Sequence, residues 1–209
     1  MPFDPGLKRE ASQKLEQYEG RVNHLYLDSE GKVTVGVGHL VVNSAAMASL
    51  AMYKVGLNGV QQVASLQDKQ SEYENIIKLA KNVELVRNKS SAWYKRYTKL
   101  VMKNSDIDSL RDRQLDTFYR ELVNIYRKRR GCFESFDQLP RPVKMALLDM
   151  IFNVGATRLS NHYPQMNANI RAGNWSRAAR ESSRLNIDMR RNEYVRQLFL
   201  SAAREEAAN

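Results

Sequence analysis

Along the first segment of the chain the apolar residues recur every four positions, with Leu7, Ala11 and Leu15 on one stripe and Glu19 next along it. Asp4 before Pro5 supplies an N-cap and a first-turn proline, and Gly20 supplies a stop. A helix is therefore predicted from about Pro5 to Glu19, with the Glu19 carboxyl on the core-facing side. The period then drops to two. "LYLD" and "KVTVGVGHL" flank the turn "SEG" and predict an antiparallel hairpin. In its second strand Val33, Val35 and Val37 fall on one face, and Thr34, Gly36 and Gly38 on the other. Glycines weaken a strand and mark close approach of backbone or ligand, so the small, polar face is expected to be a substrate floor.

From Ser44 onward the helical spacing returns. It runs through "SAAMASLAMYKVGL", "EYENIIKLAKNVELV", "SAWYKRYTKLVMK", "DSLRDRQLDTFYRELVNIYRKRR" and "RPVKMALLDMIFNVG". "YPQMNANIRAG", "NWSRAARESSRL" and "RRNEYVRQLFLSAAREE" continue it, with Gly, Pro, Asn or Ser between segments. The expected fold class is α+β and mostly helical, a small N-terminal antiparallel sheet attached to a larger helical lobe.

At 209 residues the chain is long enough for one large domain, and 43% hydrophobic residues exclude a disordered polymer. No apolar run approaches the roughly 18 residues of a membrane span, and "MPFDPGLKREASQ" lacks the apolar core of a signal peptide. The expectation is synthesis in the cytoplasm without a signal peptide or transmembrane segment. Cys132 is the single cysteine, which rules out an intramolecular disulfide and fits a reducing compartment. Lys and Arg number 33 against 23 Asp and Glu, a net charge of +10 that favours a polyanionic partner. No nucleic-acid module or base-stacking spacing is present, so anionic lipid or cell wall is preferred to nucleic acid.

Among candidate chemistries, the three histidines His24, His39 and His162 lack metal-ligand spacing, and "GVGHL" lies inside a hairpin instead of opening a helix as a phosphate loop does. No metal or organic cofactor is expected. The run "YRKRRG" at 126–131 suits an anion-binding patch and a solvated basic helix end equally well. Glu19 and Asp28 are brought towards each other by a helix end and a hairpin turn. Glycoside hydrolysis needs two carboxyl groups in different environments, one protonated to donate to the leaving oxygen and one ionised. Glu19, on an apolar stripe at the negative end of a helix dipole, suits the first role, and Asp28 in a polar turn the second. The same two positions are also what a frayed helix end and an ordinary turn supply.

The segment "YEGRVNHLYLDSEGKVTVGVGHL" resembles the active-site segment of phage-type lysozymes, the family 24 glycoside hydrolases, whose pattern is Glu, eight residues, Asp, five residues, Thr. Glu19, Asp28 and Thr34 fit it without a gap. "FDQLPRPVKMALLDMIFNVGATRLSN" is similar to that family's long central helix and following turn, and "IRAGNWSRAARESSRL" and "RRNEYVRQLF" to its next two helical segments. The similarity covers roughly residues 12–40 and 108–200.

The resemblance implies a lysozyme-like fold with three parts: the first helix and active-site hairpin at 1–40, an enlarged helical insertion at 41–107, and the helical lobe at 108–209. It implies Glu19 as general acid, Asp28 as its carboxylate partner and Thr34 as the water-positioning hydroxyl. Leu40 and Phe152 would line the sugar-binding cleft, and Arg191, with Arg190 as second choice, would pair with Glu19. Met166 and Glu181 stand where the best-known relatives carry small or amide residues. The implied activity is that of a muramidase on bacterial peptidoglycan, and an inactive wall-binding module of the same fold is the alternative. Two settings fit, a phage endolysin and an antibacterial effector. The second would bring a secretion apparatus and an immunity protein as partners.

Overall fold

The computed structural model describes residues 2–56, 59, 61–127 and 135–208. Cys132 and positions 128–131 of the basic run lie outside them. Helix α1 (Pro5–Glu19) leads into strands β1 (Val22–Leu27), β2 (Val33–Gly36) and β3 (His39–Leu40), which form an antiparallel sheet in that spatial order. Then follow α2 (Ser44–Ala48), β4 (Tyr53–Val55), β5 (Gln61–Val63), α3 (Leu66–Ala80), α4 (Val83–Val86), a 3₁₀ turn at Ser91–Tyr97 and β6 (Leu100–Val101). The remainder is helical: α5 (Asn104–Ile125), a 3₁₀ turn at Phe136–Gln138, α6 (Arg141–His162), α7 (Pro164–Arg171), α8 (Trp175–Arg180) and α9 (Met189–Ala207). The fold is α+β and mostly helical.

The chain forms two compact units, Met1–Tyr18 with Arg113–Asn209, and Glu19–Asp112. In the first, the α1 stripe of Leu7, Ala11 and Leu15 is buried in one core with Leu115 and Leu122 of α5, Leu148 and Ile151 of α6, and Phe199 of α9. Each large apolar side chain so buried contributes about 1.5–3 kcal/mol before chain entropy is subtracted. Helix α6 is interrupted at Gly155, whose φ of +76° and ψ of 162° are not helical. None of the helices among the described residues is long and apolar enough to cross a membrane.

The second unit has its own core, built from Leu25, Val35, Met52, Ile76, Tyr94 and Ile107 among others. It differs from the expected all-helical run after Ser44. Strand β4 pairs antiparallel with β5 on one side and with β6 on the other, making a second three-stranded sheet in the order β5-β4-β6. Strands of two or three residues are too short to display a period, and β6 lies far along the chain from its partner. The stretch around Trp93 is a 3₁₀ turn, and α3 begins at a capping box formed by Ser65 and Asp68. Strand β2 is buried on both faces and ends at Gly36, so Val37 and Gly38 belong to the turn into β3.

Candidate active site

Glu19 is the last residue of α1, and Gly20 directly after it adopts a φ of +72°, the left-handed conformation that ends helices cheaply when no Cβ is present. The half-buried Glu19 side chain lies over Gly38. A Cβ built at Gly38 would stand 3.0 Å from Glu19 Oε2 and 3.2 Å from its Cδ, and Gly38 itself has a φ of +64°. At Gly36 the space beside the backbone is filled by Ile107 Cγ2 and Leu110 Cδ2 of α5, at 3.6 and 3.9 Å from an added Cβ. The glycines expected to open a floor for a sugar ring thus admit protein side chains, an α5 contact at one and the candidate acid at the other.

Asp28 follows β1 and organises the hairpin. Its Oδ1 accepts the backbone N–H groups of Glu30 and Lys32, each at 2.9 Å, while its own backbone bonds to Lys32 and Gly31 close the turn. Among the described residues nothing hydrogen-bonds Oδ2. Thr34 is buried, and its hydroxyl donates to the Lys32 carbonyl at 3.1 Å. That bond occupies the only proton of the hydroxyl, so towards any further group Oγ1 is an acceptor.

The sheet register joins these residues. Thr34 is opposite Tyr26 on β1 and opposite Leu40 on β3, so Tyr26, Thr34 and Leu40 form one cross-strand row with side chains on a common face. Tyr26 is buried, and its phenol is pushed up to about 12, first by burial and then by the negative charges of Glu19 and Asp28. Glu19, Asp28, Thr34 and Leu40 all belong to the second unit, where Thr34 and Leu40 share a row with Tyr26 and both carboxylates act electrostatically on the Tyr26 phenol, a residue that sequence reasoning passed over. Its position in the alternating "LYLD" strand was the available signal.

Phe152 and Arg191 belong to the first unit. Phe152 is half-buried, with its ring edge-on to Phe118 at a centroid distance of 5.7 Å. Arg191 is buried, its Nε 3.1 Å from Asp149 Oδ2 and its guanidinium 5.0 Å from the centre of the Tyr18 ring, whereas Arg190 is exposed. Asp149 also receives Arg184 Nη1 at 2.7 Å, and Arg184 in turn donates to the Arg191 carbonyl at 3.2 Å. This buried acid with two arginines was missed, although a charge inside the apolar run "ALLDMIF" announces it. Met166 is buried in the core and Glu181 is exposed.

His24 is buried with Nε2 3.0 Å from the Ser91 carbonyl oxygen, and burial holds its imidazole below the usual value. No group of three or more metal-ligating side chains converges among the described residues. In comparisons with known proteins, no family model and no curated sequence matches the chain.

Proposed function

We propose that this chain is a lysozyme-type muramidase that hydrolyses the β-1,4 bond between N-acetylmuramic acid and N-acetylglucosamine in bacterial peptidoglycan. The observation that carries the reading is that the Glu19 and Asp28 charges both act on the Tyr26 phenol, and that the sheet register sets Thr34 directly opposite Tyr26. The resemblance of the same three residues to the Glu, Asp and Thr of family 24 glycoside hydrolases supports it.

In this reading Glu19 donates its proton to the glycosidic oxygen as the bond to the anomeric carbon breaks. Asp28 Oδ2 and Thr34 Oγ1 are both acceptors, so together they take up the two protons of one water and leave its lone pair directed at the sugar. Asp28 can hold this geometry because Oδ1 is tied into the turn by two backbone N–H groups. The missing side chain at Gly38 leaves room for the Glu19 carboxyl to pack close beside it, which limits its freedom to wander. The substrate is the wall of a bacterium, reached in the periplasm or from outside.

The test is release of reducing sugar from purified peptidoglycan by the wild-type chain and by Glu19→Gln. The amide fills the same volume and cannot protonate the leaving oxygen, so the rate should fall on the order of 10² to 10⁴-fold with folding and wall binding retained. Equal rates would remove Glu19 from the mechanism. Binding without any release by the wild type would make the chain the inactive wall-binding module instead.

A further inference from the structure

Residues 85–105 carry Arg87, Lys89, Lys95, Arg96, Lys99 and Lys103 with no Asp or Glu among them, more than half of the chain's net charge of +10. All six are exposed, and none is ion-paired among the described residues. Lys95 and Lys99 act electrostatically on Glu72, but that carboxyl is buried and already accepts two backbone N–H groups. Like charges gathered in this way favour a partner that supplies anions. A solvated basic face accounts for the charge alone. It does not account for the apolar groups set among the cations.

The segment is held in one shape within the second unit. Helix α4 packs on that unit's core through Val86, and the 3₁₀ turn at Ser91–Tyr97 does so through buried Tyr94 and half-buried Trp93. His24 Nε2 lies 3.0 Å from the Ser91 carbonyl oxygen, and Glu72 Oε2 accepts the backbone N–H groups of Lys99 at 2.5 Å and Leu100 at 2.9 Å, so both ends of the turn are fixed. Lys89 joins the two pieces: its backbone N–H donates to the Val86 carbonyl at 3.2 Å, and its ammonium lies 5.6 Å from the centre of the Trp93 ring. The Arg96 guanidinium is 5.4 Å from the same centre and the Tyr97 ring 4.8 Å. Left on the outside are Val83 at 65% exposed, Leu85 at 37% and Tyr97 at 36%.

This combination narrows the partner. At the surface of an anionic bilayer, Lys and Arg reach lipid phosphates while their stems lie along apolar surface, aromatic rings sit at headgroup level, and aliphatic groups enter the acyl boundary. A nucleic acid strand would use the cations but needs a free ring on which a base can stack. Trp93 is half-buried and already packed by Lys89, Arg96 and Tyr97. Val83 and Leu85 have nothing to contribute on a polar phosphodiester or glycan polymer.

We infer that the surface formed by α4 and the 3₁₀ turn at Ser91–Tyr97 docks the chain on an anionic phospholipid bilayer, with the cations on lipid phosphates and Val83 and Leu85 at the acyl boundary. The chain lies on the bilayer and does not cross it. This docking does not depend on the muramidase reading, and vesicle binding by a chain without hydrolysis leaves it standing.

The experiment is co-sedimentation of the full chain with vesicles of phosphatidylethanolamine and phosphatidylglycerol, against vesicles of phosphatidylcholine alone. Binding should require the anionic lipid. Lys95→Gln with Arg96→Gln should weaken it about tenfold or more, as removal of two surface-bound cations does. Arg177→Gln with Arg204→Gln, which removes the same charge from exposed positions of the first unit, should weaken it less than about threefold. Val83→Ser with Leu85→Ser should cost about tenfold on vesicles and nothing on single-stranded oligothymidylate. Trp175 is buried, so quenching of the wild-type emission by lipids brominated near the top of their acyl chains reports Trp93 without any substitution. Equal losses from the two charge pairs would show a diffuse attraction and overturn the site. Full vesicle binding by the serine pair, or emission that brominated lipid leaves unchanged, would overturn it as well.

Discussion

A methyl group at Gly38 is the smallest change that tests how the candidate acid is held. Alanine there must tolerate a φ of +64° and stand 3.0 Å from Glu19 Oε2, so either the backbone or the carboxyl shifts. The left-handed conformation costs about 1–2 kcal/mol for a residue with a Cβ, and a displacement of about 1 Å at a reacting group can cost on the order of 10² in rate. Gly38→Ala should therefore lower peptidoglycan hydrolysis at least tenfold beyond its effect on stability. Gly59→Ala is the control, since Gly59 has a φ of +76° with no described atom within 4 Å of an added Cβ. Equal activity in the two variants would show that contact with Gly38 does not position Glu19. The division of labour within Asp28 belongs to the same scale: the turn role that its sequence position suggests is carried by Oδ1, and Oδ2 is what remains for chemistry.

Between elements, the first unit is cross-linked where α6 supplies Asp149, the α8–α9 connection supplies Arg184, and α9 supplies Arg191. All three side chains are buried, so removing Asp149 takes away the acid that both guanidinium groups face. Asp149→Asn should cost about 3–5 kcal/mol of stability, read as a fall in the urea midpoint by circular dichroism. A loss below about 1 kcal/mol would mean that this cluster is already well solvated. The elements themselves were unevenly legible. Long amphipathic stretches such as α1, α5 and α9 declare themselves by period, and the first hairpin by alternation around "SEG". The second sheet did not, because Tyr53–Val55 becomes a strand through pairing with Leu100–Val101, and nothing local in three residues specifies that partner.

For the molecule as a whole, the charge of +10 sets a long-range preference for anionic surfaces. Such attraction is screened within about 8 Å at physiological ionic strength, whereas contacts inside a site are less affected. Raising salt should weaken adsorption to intact bacterial cells several-fold more than it slows cleavage of short soluble glycan fragments, measured by pelleting and by reducing-sugar release. Equal sensitivity would argue against the proposal that the net positive charge tethers the chain to the wall. The described helices offer no membrane span that could hold the chain at a surface in its place.

Sequence alone determined the mostly helical α+β class, the first helix with Glu19 at its end, and the Glu, Asp and Thr spacing, because period and turn chemistry act over a few residues. Tertiary structure decided what those residues meet. Glu19 lies on Gly38, Gly36 is taken up by Ile107 and Leu110, and Tyr26 feels both carboxyl groups. Likewise Asp149 collects two arginines, and Glu72 buries one oxygen without a partner among the described residues. Each of these depends on which distant segments share a core or a sheet, and burial, not local pattern, gives a charge or an absent side chain its consequence.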